Sequence, residues 1–149
     1  MPDDRGRIRV LFLCTGNSCR SQMAEGWARK LKRDRIVAYS AGVAPDGMNP
    51  LAIKVMAEAG VDMSGLYAKH VGDLRDVAFD YVITVCGDAK DNCPVFSGNT
   101  GRIHVGFDDP PRLAAGAATE EDALRHYRRV RDEIRAFVET LPERFQVKR

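Results

Sequence analysis

Four short apolar runs punctuate this chain: IRVLFLC (Ile8–Cys14), RIVAYSAG, DYVITVC (Asp80–Cys86) and RIHVGF. Segments with helical periodicity follow the first two, and a polar loop, GDAKDNCPVFSGNT, separates the third from the fourth. Each run has the length and β-rich content of a strand buried on both faces. After the first, Met23, Ala24, Trp27, Ala28 and Leu31 form one stripe at helical spacing, in a helix starting near Ser18. The second strand spans Ile36–Ala41 and stops at Gly42. PLAIKVMAEAG reads as a helix with Pro50 in its first turn and Gly60 at its C-terminal cap. A further helical piece is expected over Val71–Val77. DDPPRLAAGAA reads as a loop. Thr119 with Asp122 then opens a final amphipathic helix carrying Leu124, Tyr127, Val130, Ile134, Phe137, Val138 and Leu141.

Strand–helix alternation of this kind predicts an α/β fold: one domain over residues 1–149, a parallel sheet of about four strands, helices on both faces. Ligands of such sheets bind outside the carboxyl ends of the strands. Cys14 ends the first strand, Cys86 the third, and Asp108-Asp109 follows the last. Three chemically capable positions, far apart in sequence, are therefore expected on one edge.

Composition narrows the function. The 149 residues carry a net charge of +2, too little for bulk nucleic-acid binding. Arg125, Arg128, Arg129 and Arg131 read as a solvated helix face. No apolar run approaches the roughly 20 residues of a membrane span. The acidic, short-cored N-terminus is unlike a signal peptide, so a cytoplasmic monomer with reduced thiols is expected.

The loop CTGNSCRS is where chemistry concentrates. A tight strand-to-helix loop aims backbone N–H groups inward, and the following helix adds the positive end of its dipole. Thr15, Gly16, Asn17, Ser18, Cys19, Arg20 and Ser21 thus form a candidate oxyanion-binding loop. Gly16 and Asn17 tolerate left-handed backbone. Arg20 offers a planar fork to a tetrahedral anion. Cys14, at the base, is the candidate nucleophile; the positive field is expected to lower its pKa, and Ser21 to donate to its thiolate. Cys19 is read as structural, facing away from the anion.

Cys86 and Cys93 add a second thiol pair. Their six-residue gap suits zinc poorly, and His70, His104 and His126 show no ligand spacing. A redox pair fits better, because one thiol can attack an adduct on Cys14 and the next can move the disulfide outward.

CTGNSCRS together with DDP resembles the low-molecular-weight protein tyrosine phosphatase family, in which the aspartate before proline is a general acid; that maps onto Asp109, with Asp108 second. With Cys86 and Cys93 the pattern is similar to the thioredoxin-coupled arsenate reductases of the same fold. The resemblance implies arsenate binding in the loop, attack by Cys14, a Cys14–Cys86 and then a Cys86–Cys93 disulfide, and external thioredoxin as reductant with no bound cofactor. Phosphate or sulfate would occupy the same site. Two alternatives stand beside it: a tyrosine phosphatase using Cys14, Arg20 and Asp109, and a non-enzymatic phosphoprotein-binding or redox-sensing module. Some relatives bind potassium through an asparagine, a glutamate, a serine and an aspartate. Asn17, Glu25 and Ser40 match the first three, whereas Lys69 stands at the aspartate position. No metal is expected: Lys69 replaces the ion, its charge meeting Glu25 or organising Asn17, or else it simply stands in solvent.

Overall fold

The structure, a computed structural model, describes residues 6–87 and 100–146. Its elements run β1 (Ile8–Cys14), α1 (Arg20–Leu31), β2 (Ile36–Gly42), α2 (Pro50–Glu58), a 3-10 turn (Val71–Leu74), β3 (Tyr81–Thr84), β4 (Gly101–His104), α3 (Pro110–Ala114), α4 (Glu120–Glu139) and α5 (Glu143–Gln146). The four strands form one parallel sheet in the order β2-β1-β3-β4. From β1 the chain crosses to β2 on one side, and from β3 to β4 on the other. The gap between β1 and β3 is therefore a topological switch point, where ligands of open α/β sheets bind.

β1 lies at the centre, with Val10 to Leu13 wholly buried. This is why it reads as a continuous apolar run rather than an alternation. Helices α1, α2 and α3 all pack against α4. Trp27 fixes one of these contacts, donating from its indole N–H to the Arg131 carbonyl at 3.1 Å. Arg128 grips both carboxylate oxygens of Glu58 at 2.9 Å, and Arg131 donates to the Val55 carbonyl. The arginines read from sequence as a solvated face thus include a clamp between α4 and α2.

Several boundaries differ from the sequence reading. α1 starts at Arg20, after Cys19 at its N-cap. Asp80 does not enter β3; its carboxylate accepts the Arg9 N–H at 2.8 Å and closes the strand's entrance. β3 ends at Thr84, although Val85 still donates its N–H to the Leu13 carbonyl at 3.0 Å and accepts from Phe107, which carries Cys86 to the edge beside β1. The expected helix after Val71 is one 3-10 turn. DDPPRLAAGAA contains α3, because proline suits a first helical turn and two prolines follow Asp109. Thr119 caps α4 as expected, accepting the Asp122 N–H.

Candidate functional site

The loop from Cys14 to Arg20 owes its shape to where its carbonyls go. The Cys14 oxygen accepts from Val43 N–H (3.2 Å), Thr15 from Ala44 (2.8 Å), Gly16 from Asp46 (2.9 Å) and Ser18 from Asn49 (3.0 Å). The Asn17 oxygen accepts from Gln22 Nε2 at 3.0 Å. Five successive carbonyls are drawn outward, four of them by the segment 43–49. The peptide N–H groups are turned the other way, which makes a concave nest of the kind suited to an oxyanion. Gly42 is part of the same device: a Cβ there would lie 2.5 Å from the Thr15 oxygen and 2.9 Å from the Asn17 nitrogen.

Asn17 is the pivot. It adopts φ 50°, in the left-handed region that asparagine tolerates. It is fully buried. Its Nδ2 donates to Ser21 Oγ (2.9 Å) and Ser40 Oγ (3.0 Å). Its Oδ1 accepts the Lys69 backbone N–H (2.9 Å) and Gln22 Nε2 (3.0 Å). Ser40 in turn donates to Glu25 at 2.6 Å.

A cavity of about 360 Å³ opens over the loop, lined by Cys14, Thr15, Gly16, Ser18, Cys19, Arg20, Ala44, Asp46, Asp109 and Pro111. Arg20 is spoken for at two nitrogens: Nη1 donates to the Phe107 carbonyl at 2.9 Å and Nη2 pairs with Asp109 at 3.5 Å. Its Nε is buried with no hydrogen-bond partner among the described residues. A buried guanidinium N–H without an acceptor, beside a nest of amides, fits an anion. Asp109 borders the cavity, while Asp108 turns away to Arg129 at 3.0 Å. The geometry therefore brings the first-ranked aspartate to the anion loop and not the second.

Cys14 and Cys86 are thiols in hydrogen-bonding contact, and Cys86 Sγ lies 3.2 Å from Thr15 Oγ1. The expected lowering of the Cys14 pKa does not hold here. The Cys86 hydrogen bond and burial push it well above an ordinary thiol, outweighing Arg20 and the Thr15 N–H, which pull it down. Ser21 Oγ accepts from Asn17 Nδ2, which leaves its own proton to donate, and the hydrogen bonds that shift Cys14 come from Cys86 and Thr15. Cys19 borders the cavity instead of facing away, and burial pushes its pKa up to about 12. Cys93 falls outside the described residues.

The sequence reading missed Gln22, Asn49 and Tyr127. Gln22 braces the loop, with Nε2 also reaching the Tyr67 carbonyl. Asn49 caps α2 with its side-chain oxygen, holds Ser18 with its backbone N–H, and donates to Tyr127 Oη at 3.0 Å. The one sequence signal was Asn49 before Pro50, a capping residue at a helix start. His70 and His104 serve local hydrogen bonds, to the Gly72 N–H and with Thr84.

The chain matches the low molecular weight phosphotyrosine protein phosphatases over residues 9–149. An arsenate reductase of Bacillus licheniformis is 50% identical over 129 residues, 84% of this chain and 88% of that one. A solved arsenate reductase in the phosphate binding state superposes with a TM-score of 0.70 at 31% identity, over 90% of this chain and 95% of that one. The thioredoxin-dependent arsenate reductase of Corynebacterium glutamicum gives a TM-score of 0.67 at 26% identity, over 96% of this chain and 64% of that one.

Proposed function

The chain belongs to the low molecular weight phosphotyrosine protein phosphatase family, and we propose that it reduces arsenate to arsenite through a relay of Cys14, Cys86 and Cys93. The observation that carries this reading is the contact between the Cys14 and Cys86 thiols at the base of the anion loop. Hydrolysis of a phosphate ester needs Cys14, Arg20 and Asp109. It has no use for a second thiol against the nucleophile. The identity to arsenate reductases supports the same choice, as does a cavity lining that, among the described residues, has no aromatic side chain to wall a phosphotyrosine ring.

Arsenate docks with its oxygens on the inward amides from Thr15 to Arg20 and on the Arg20 guanidinium. Cys14 sulfur bonds to arsenic as one oxygen leaves as water, with Asp109 carrying a proton. Cys86 sulfur then attacks Cys14 sulfur. The S–As bond breaks, and its electron pair stays on arsenic, which becomes As(III). Arsenite leaves behind a Cys14–Cys86 disulfide. Cys93 attacks Cys86, returns Cys14 to the thiol, and leaves a Cys86–Cys93 disulfide for the dithiol of thioredoxin. The two electrons come from thiols throughout.

The test is arsenate-dependent NADPH oxidation with thioredoxin and thioredoxin reductase. Wild type is compared with Cys14→Ser, Cys86→Ser and Cys93→Ser. All three variants are expected to lose turnover. Turnover that survives without Cys86 and Cys93 would sink the relay and favour the phosphatase reading.

A further inference from the structure

We infer that the Lys69 ammonium is a built-in cation that neutralises the buried carboxylate behind the anion loop, so that loop order requires no alkali metal ion. The inference rests on the anion-site reading above and on one further cluster. Glu25 lies in the first half of α1 with 2% of its side chain exposed. A carboxylate that deep needs compensating charge. Its Oε2 has Arg29 at 2.8 Å, but the Arg29 side chain is 49% exposed. Its Oε1 accepts from Ser40 Oγ at 2.6 Å and faces Lys69 Nζ at 4.0 Å.

Lys69 is held from several sides and is only 11% exposed. Nζ donates to the Tyr67 carbonyl at 2.9 Å and sits 4.7 Å from the Tyr67 ring centroid. Its backbone N–H donates to Asn17 Oδ1. Two connections thus run from Lys69 to the pivot of the loop. One is the direct N–H bond. The other passes through Glu25 and Ser40 to Asn17 Nδ2.

The residues present do not suit the potassium ion of some relatives. A monovalent metal would need the oxygens around Glu25 Oε1 and the Tyr67 carbonyl, and the ammonium already donates to the second and faces the first at 4.0 Å. A second positive charge there would meet Lys69 and Arg29 together. Lysine carries a compact point charge with three donors, the nearest side-chain equivalent of such an ion.

The experiment reads thermal melting, and phosphate Kd by protection of Cys14 from iodoacetamide. Wild type, Lys69→Ala and Lys69→Met are measured in KCl, NaCl and choline chloride at equal ionic strength. Wild type is expected to show no preference among the salts. In choline, both variants are expected to bind phosphate about tenfold more weakly, the usual scale of coupling between sites. KCl is expected to restore most of that loss in Lys69→Ala and to raise its Tm, with less effect in Lys69→Met, whose side chain fills the space. Variants that bind as wild type, or that weaken without any response to potassium, overturn the inference. So does a wild type whose Tm climbs with potassium. If wild type binds no phosphate, the anion-site reading fails instead. The Tm response of Lys69→Ala to potassium still decides the present point.

Discussion

Replacing Asn17 with alanine tests the idea that one buried amide shapes the anion loop. The substitution removes four hydrogen bonds, to Ser21, Ser40, Lys69 and Gln22. Gln22 keeps the Asn17 and Tyr67 carbonyls as acceptors, and Ser40 keeps Glu25. The Lys69 N–H loses Asn17 Oδ1, and stranding a half-buried donor costs about 1–3 kcal/mol. Ser21 and Ser40 each lose a donor, about 0.5–1 kcal/mol apiece in net terms. Alanine at φ 50° adds about 1 kcal/mol of backbone strain. The sum is about 4 kcal/mol. At about 2–4 °C per kcal/mol for a chain this size, Tm should fall by about 8–16 °C. The assay is melting by circular dichroism under reducing conditions, with Asn17→Gly as the control. Glycine loses the same hydrogen bonds but relieves the strain, so it should melt above the alanine variant. A drop of less than about 3 °C would refute the accounting. Alanine matching glycine would refute the strain argument alone.

Gly42→Ala places a methyl group against the Thr15 oxygen and the Asn17 nitrogen; overpacking of this kind costs about 1–3 kcal/mol. Phosphate affinity should fall with stability, read by Cys14 protection and by melting. Cys86→Ala removes the largest influence raising the Cys14 pKa, so the alkylation midpoint of Cys14 should move to lower pH. An unchanged midpoint would show that burial alone sets it. Cys19 is raised from the ordinary 9.0 to about 12 by burial. Its stabilising contribution is therefore complete below pH 9.0 and lost as pH climbs toward 12, because the unfolded thiol ionises first. Urea titrations of Cys19→Ala should show a shallower alkaline decline than wild type.

Buried strands announced themselves in the sequence because their runs are apolar on both faces, and β1 ends at Cys14 as read. The convergence of Cys14, Cys86 and Asp109 was legible for a topological reason: parallel strands put their carboxyl ends on one edge. What was illegible is carried by the backbone. Val43, Ala44, Asp46 and Asn49 hold the loop through main-chain N–H groups, a job that leaves no residue-type signature. The Cys14 pKa was misread for another reason. The loop's own charges were counted, while the dominant partner, Cys86, stands 72 positions away and reaches Cys14 only because β3 is the neighbour of β1. Lys69 was legible only as a departure from a pattern; its burial beside Glu25 needed the fold.

A protonated Cys14 is consistent with the proposed chemistry once protons are counted. Arsenate near neutral pH carries one hydroxyl, and forming the S–As bond releases one water. That water needs two hydrogens: one is arsenate's own, and the other can be the Cys14 thiol proton. Asp109, paired with Arg20 on the cavity wall, is placed to pass it between the two. The second step has the same form. Cys86 attacks as the S–As bond breaks, and its thiol proton balances the charge left on arsenite's oxygens. The Cys86 contact that raises the Cys14 pKa is also the contact that puts Cys86 within reach of the sulfur the proposed relay has it attack. An anion that lacks a hydroxyl, such as sulfate, should accordingly bind the loop and protect Cys14 without drawing the first proton.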